Sequence, residues 1–104
     1  MSAIATVYAV FGSQAEAESI GRAMVKRGLA ACVNILGGCR SIYRWQGAIE
    51  EADEVPALFK TTAEGAAALI AAIAEAHSYG VPAVVAWPIA HAHPAYAEWV
   101  KQSS

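Results

Sequence analysis

The chain has 104 residues, a formal net charge of −2 and a hydrophobic fraction of 57%. This length allows one domain, residues 1–104. No apolar run reaches the ~18–20 residues of a membrane-spanning helix, and scattered basic residues argue against nucleic-acid binding. Alanine accounts for 25 residues, so we expect a thin hydrophobic core that gains stability by self-association.

Two cysteines, Cys32 and Cys39, match neither a CxxC pair nor the spacing of a zinc ribbon. The N-terminal apolar stretch is not preceded by the basic segment of a signal peptide. We therefore expect a cytoplasmic protein with reduced thiols.

The first half of the chain predicts a strand, a helix and a second strand. Residues 4–11 form a β-rich apolar run. Ser13 and Glu16 have the spacing of a capping box, and Gly28 predicts the end of the helix. Residues 29–36 alternate between two faces and predict the second strand. The buried stripe of the helix is expected to contain Ala17, Ile20 and Met24.

A long, bent hairpin is predicted in the middle of the chain. Residues 40–46 and 54–60 are strand-like, and Gly47 permits a bend between them. The acidic run at Glu50, Glu51, Asp53 and Glu54 is expected at a solvated hairpin tip.

The remaining elements repeat the plan of the first half. Thr61 and Glu64 form a second capping-box pattern, which predicts a helix ending near His77. Residues 83–89 predict the last strand, and Pro94 begins a short C-terminal helix. One face of that helix is expected to carry Tyr96, Trp99 and Val100.

This order of elements predicts an α+β fold, a ferredoxin-like βαββαβ sandwich with a short C-terminal helix. Two helices would cover one face of the sheet. The residues of the other face are mostly apolar, which is typical of an interface. The periodicity therefore favours self-association.

Three histidines and a cysteine are the candidate metal ligands: Cys32, His77, His91 and His93. Imidazole and thiolate suit copper and zinc. The spacing is weak as a signal, so loop histidines in water and a structural Cys32 remain the alternative.

Sequence motifs for anion binding or catalysis are weak or absent. Gly37-Gly38 followed by Arg40 has the composition of an anion site, with a plain turn as the alternative. No P-loop, HExxH or Ser-His-Asp pattern is present, and a thiol at Cys32 in an apolar strand is expected to be inert. Tyrosines and tryptophans are numerous, which fits subunit packing or the lining of a ligand cleft.

Several motifs occur together in a recognisable order: LAACVNI, SIYRWQG with an acidic stretch, FKTT, and PAYAEWV. Over roughly residues 5–101 the chain resembles the CutA family of divalent-cation tolerance proteins. The resemblance implies a ferredoxin-like subunit in a tight cytoplasmic homotrimer, with sheets packed edge to edge around a threefold axis. It also implies a link to copper and other divalent metals and no enzymatic activity.

The family's motif residues match Cys32, Tyr43, Trp45, Lys60, Thr61, Thr62, His77, Tyr79, Tyr96 and Trp99. The departures are Ser78 in place of a proline, and Gly80 and Ala83 in place of glutamates. A cysteine of some copper-binding members is Ala9 here, and a histidine of some members is Ala76. Of that copper site, only the histidine at 77 is kept.

We therefore predict a non-enzymatic cytoplasmic homotrimer that binds divalent metal, copper or zinc, weakly and does not need it to fold. Its partners would be copies of itself and metal ions, with no nucleic acid or membrane. Two alternatives stay open: a trimeric sensor similar to PII signalling proteins, with a small anionic metabolite in an intersubunit cleft, and a non-catalytic assembly scaffold. The cleft or interface residues would be Arg40, Tyr43, Arg44, Trp45, Lys60, Tyr79, Tyr96 and Trp99.

Overall fold

The computed structural model describes residues 3–104, which form an antiparallel sheet and three helices. The elements in chain order are β1 (Ile4–Phe11), α1 (Gln14–Lys26), β2 (Cys32–Ile35), β3 (Cys39–Trp45), β4 (Ala48–Thr62), α2 (Ala66–Ala76), β5 (Val84–Pro88) and α3 (Pro94–Ser103). The strand order is β2-β4-β1-β5, and β3 pairs with β4 outside this path. The predicted α+β class and the βαββαβ-like order with a C-terminal helix are confirmed.

One face of the sheet, the covered face, carries the main core. Val7, Ala9 and Phe11 alternate along β1 and are fully buried, as is Phe59 on β4. Alternation puts these side chains on one side of the sheet, where α1 and α2 pack against them. The predicted stripe of α1 reaches this core through Ala17, Ile20 and Met24, and α2 contributes Leu69 and Ile73.

The opposite face, the open face, is covered at one end only. There α3 contributes Ala97 and Val100 to a small cluster with Ile4 and Ala31. The rest of this face carries Thr6, Tyr8, Leu58, Val85 and Trp87, which lie opposite one another in the strand register. The side of α3 that packs is therefore Ala97 and Val100, whereas Tyr96 and Trp99 are 38% and 45% exposed. Of the three residues predicted to share one face of the helix, Val100 is buried, whereas Tyr96 and Trp99 contact each other on the partly exposed side, with ring centroids 5.9 Å apart.

The hairpin is longer than predicted because β4 is one continuous strand of 15 residues. Its inner part pairs with β1 and β2, and its outer part, residues 48–54, pairs with β3 alone. The turn lies at Gln46 and Gly47, both with positive φ, as a tight hairpin turn requires. The acidic run therefore lies within β4, where it pairs with β3, and not at the tip. Arg40 on β3 bonds both Glu51 and Asp53 across this pair of strands.

The two capping-box patterns have different outcomes. The Ser13 side chain accepts a hydrogen bond from the Glu16 N–H, so α1 begins where predicted. Thr61 caps nothing: it is the penultimate residue of β4, and its hydroxyl donates to the Leu29 carbonyl. The second helix has Gly65 as its N-cap, with no side-chain capping bond.

The strand β2 is shorter than predicted because its first residues close the preceding helix. The N–H groups of Leu29 and Ala30 both donate to the Met24 carbonyl, while Gly28 has a φ of 73°. This is the backbone arrangement with which helices commonly end. Ladder pairing therefore starts only at Cys32. Across residues 3–104, none of the helices has the length and apolar character that crossing a membrane demands.

Candidate functional site

His77 is buried at the end of α2, and both of its ring nitrogens are occupied within the chain. Nε2 lies 2.7 Å from the Val10 carbonyl oxygen and must donate to it, while Nδ1 accepts from the Tyr79 N–H at 3.1 Å. The ring is stacked on Phe11, with centroids 5.0 Å apart. This pattern assigns the neutral Nε2–H tautomer and leaves no free lone pair for a metal ion.

Glu16 lies beside this ring and is bonded to the loop that follows α2. Its carboxylate accepts from the Ser78 N–H at 2.8 Å and from the Ser78 hydroxyl at 3.0 Å. Partial burial raises the pKa of Glu16, but the bonds from Ser78, the proximity of His77 and a bond from the Gly12 N–H outweigh it, so the pKa is lowered. The second half of the capping box is therefore replaced by a tertiary contact.

Tyr79 connects the same loop to the hairpin. Its hydroxyl donates to a Glu54 carboxylate oxygen at 2.8 Å, and this bond, with burial second, raises the pKa of Tyr79 to about 12. The ring passes close to Gly12, where an added Cβ would lie 2.9 Å from the Tyr79 oxygen. We call Glu16, Glu54, His77 and Tyr79 the hairpin-base cluster.

The open face holds a second polar group. Lys60 donates to the Asn34 side-chain oxygen, and Cys32 lies opposite Lys60 in the strand register. The Cys32 sulfur is 3.5 Å from the Tyr96 hydroxyl. Burial, and then the bond to Cys32, raises the pKa of Tyr96 to about 12. Cys32 is thus linked to α3 and not to His77.

The two histidines before α3 differ from His77. His93 accepts from the Ala95 N–H through Nδ1 and caps the helix. His91 is exposed. The four predicted ligands are therefore not brought together, and within residues 3–104 no group of three or more His, Cys, Asp or Glu is placed to hold a metal ion.

The predicted cleft residues are also spread over the molecule. Arg40, Tyr43, Arg44 and Trp45 follow the hairpin, Lys60 is on the open face, and Tyr79 is at the hairpin base. Arg40 is bonded to Asp53 and Glu51, which raises the pKa of its guanidinium. Sequence reasoning missed Glu54 and treated Glu16 only as a cap; the one signal was Ser78, whose N–H and hydroxyl stand where the family has a proline.

The fold and these motifs agree with a comparison of the whole chain with known families. The family model described as CutA1 divalent ion tolerance protein matches residues 5–103. The chain belongs to the CutA1 family. The resemblance inferred from LAACVNI, SIYRWQG and PAYAEWV is thus confirmed.

Individual CutA proteins give the same result. A divalent-cation tolerance protein CutA of Thermus thermophilus is 41% identical over 92 residues, which are 88% of this chain and 89% of that protein. Its solved structure superposes with a TM-score of 0.93 at 39% identity, covering 97% of this chain and 98% of that one. The human protein CutA is 41% identical over 86 residues, 83% of this chain and 48% of that protein.

The name of one solved CutA structure includes a cellular location. The solved structure from Archaeoglobus fulgidus, named a periplasmic divalent cation tolerance protein CutA, has a TM-score of 0.92 at 32% identity and covers 96% of this chain and 97% of that one. The chain spans about half the length of the mouse and human CutA proteins that it matches.

Proposed function

We propose that this CutA protein is a cytoplasmic homotrimer that contributes to divalent-cation tolerance, binds divalent metal ions weakly and catalyses no reaction. The observation that carries the proposal is the open face, a largely apolar sheet surface that α3 covers at one end only, in a chain of a divalent-cation tolerance family. The free thiols of Cys32 and Cys39 fit a reducing compartment.

Exposed apolar side chains support assembly at two places. On the open face, Val85 and Trp87 are 51% and 45% exposed, and along the hairpin Ile42 and Ile49 are 67% and 61% exposed. Fully burying a side chain of this kind is worth about 1.5–3 kcal/mol. Contacts with two neighbouring copies would remove both surfaces from water.

The metal-binding part of the proposal depends on His91 and His93. His77 donates and accepts within its own chain, so a metal ion there would have to break a buried hydrogen bond. His91 is exposed and two residues from His93, and imidazole pairs bind Cu²⁺ and Zn²⁺. Two ligands from one chain make a weak site. The covered core is complete without a metal, so we expect none to be required for folding.

Calorimetric titration of Cu²⁺ into the purified protein tests the metal site. We expect weak binding heat that is lost in a His91→Ala/His93→Ala variant and retained in His77→Gln, after circular dichroism has verified that each variant is folded. Heat that survives the double variant and is lost in His77→Gln would contradict the assignment.

Light scattering tests the assembly separately. The expected mass is near three times the chain mass of 10.8 kDa. A mass near that of a single chain at micromolar concentration would overturn the trimer without bearing on the metal site.

A further inference from the structure

The ring of His93 forms the N-terminal cap of α3. Its Nδ1 accepts a hydrogen bond from the Ala95 N–H at 3.2 Å, and its carbonyl accepts the first bond of the helix, from the Ala97 N–H at 3.0 Å. Pro94 occupies the first helical position and contributes no N–H. The N–H groups of a first helical turn have no acceptor within the helix. The imidazole therefore satisfies a backbone donor that would otherwise depend on water.

This cap fixes the tautomer of His93. A neutral imidazole has one N–H and one ring lone pair. Because the lone pair on Nδ1 accepts from the Ala95 N–H, the proton is on Nε2. A neutral ring can then bind a metal ion in two ways: the ion replaces the N–H at Nδ1, or it binds Nε2 after the proton has moved to Nδ1. In both ways the ring keeps one proton and the bond to Ala95 is lost.

The charge of a metal ion acts in the same direction as the tautomer. The N-terminal end of a helix carries a partial positive charge, which stabilises anions and disfavours cations. His91 and His93 are both exposed, so an ion has access to the two rings. Metal binding at this pair is therefore opposed both by the lost cap and by the helix dipole.

The first turn of α3 also carries two tertiary contacts. The Tyr96 hydroxyl lies 3.5 Å from the Cys32 sulfur on β2. Ala97 packs in the cluster with Ile4 that covers one end of the open face. Tyr96 and Ala97 directly follow Ala95, so losing the cap loosens the residues that hold α3 on the sheet.

We propose that metal binding at His93 and capping of α3 exclude each other, so that a bound divalent ion loosens the first turn of α3 on the open face. This inference rests on the proposed metal site at His91 and His93 and adds its regulation. Coupling between binding and a conformational equilibrium is reciprocal. The capped helix therefore weakens metal binding by the same factor by which a bound ion weakens the cap.

Calorimetric titration of Zn²⁺ into Ala95→Pro tests this exclusion. The substitution removes the N–H that His93 accepts but keeps both imidazoles, and proline is tolerated in the first turn of a helix. A side-chain cap contributes a factor of about 2 to 30 to helix stability, so we expect Zn²⁺ to bind about threefold to tenfold more tightly than in the parent protein. The matched control is Ala95→Ser, which keeps the N–H at the same exposed position. It should change the affinity less than about twofold.

NMR of the parent protein gives a second readout that needs no substitution. Long-range ¹H–¹⁵N correlations of the His93 ring should place the proton on Nε2 in the absence of metal. Zn²⁺ should shift the Ala95 amide and accelerate hydrogen exchange of the Ala97 amide about threefold to tenfold. The Ala17 amide is the internal control, because it donates the corresponding bond in α1, which Ser13 caps, and its exchange should not change.

Two results would overturn the exclusion and leave the metal site in place. The first is equal Zn²⁺ affinity of the parent and Ala95→Pro, together with loss of binding in His93→Ser, which removes the imidazole but keeps a capping side chain. The second is a proton on Nδ1 of His93 in the metal-free protein. Absence of Zn²⁺ binding from both the parent and Ala95→Pro would overturn the proposed metal site and this inference together.

Discussion

The two faces of the sheet use the same strands for different purposes. On β1, Val7, Ala9 and Phe11 point to the covered face and are fully buried. Between them, Tyr8 points to the open face, where it contacts Trp87 with ring centroids 5.7 Å apart and neither ring is fully buried. The covered face is completed by the chain's own helices. The open face is largely apolar and has such a cover at one end only, so the proposed assembly would use the opposite side of the same strand from the one that folding buries.

The largest effect is expected from the covered face. Phe59→Ala removes a fully buried ring that packs against Phe11, with centroids 6.4 Å apart. We expect a loss of about 3–5 kcal/mol in the free energy of unfolding, measured by urea denaturation in the same buffer as the parent protein. A loss below ~1 kcal/mol would mean that the covered face is not the core.

The matching change on the open face should act on assembly. Trp87→Lys puts a charge on the proposed contact surface but alters no buried side chain of the single chain, since Trp87 is 45% exposed. We expect the mass from light scattering to fall towards one chain, with circular dichroism unchanged. The control is Lys101→Ala, at an exposed position of α3 that takes no part in strand pairing. It should leave the mass unchanged.

A smaller effect is expected at the hairpin-base cluster, which borders the covered face. The lowered pKa of Glu16 means that its carboxylate stabilises the folded state above its ordinary pKa of 4.5 and loses this contribution as the pH falls through the folded-state value. Ser78→Ala removes one donor to Glu16 and should cost about 1 kcal/mol at pH 7. The cost should shrink as the pH is lowered below 4.5.

Thermal unfolding between pH 3 and pH 7 measures this dependence. Ser19→Ala is a suitable control, because this exposed serine of α1 is not among the groups that bond the Glu16 carboxylate. If Ser78→Ala lowered the free energy of unfolding by the same amount at all pH values, the bond from Ser78 would not contribute to the lowered pKa of Glu16. Ser78→Pro, which also removes the N–H donor, should have the larger pH-dependent cost.

The order of elements and the covered face were predictable because they follow from local periodicity. Ser13 and Thr61 show where such reasoning ends. Both begin the same four-residue capping pattern, but Thr61 is paired with Ala5 on β1 and bonded to Leu29, so it remains in a strand. The outcome is decided by residues far away in sequence.

The same limit applies to the candidate site. His77 is a plausible metal ligand in the sequence, and only the structure reveals that Val10 and Tyr79 already occupy its nitrogens. Glu54 could not be assigned to the cluster either, because its partner Tyr79 is 25 residues away. Carboxylates in an acidic run have equivalent surroundings in sequence, and tertiary contacts alone distinguish them.

The continuity of β4 has an evolutionary consequence. Residues 55–62 pair with β1, so any insertion there would shift the register of the core. Residues 48–54 pair only with β3, so the hairpin can gain or lose residues in matched pairs while the helices keep their contacts. Adding two residue pairs to the hairpin leaves the turn side chains on the same face of the two strands, whereas adding one pair moves them to the opposite face. The length of the hairpin can therefore change through insertions or deletions without altering the core of the domain.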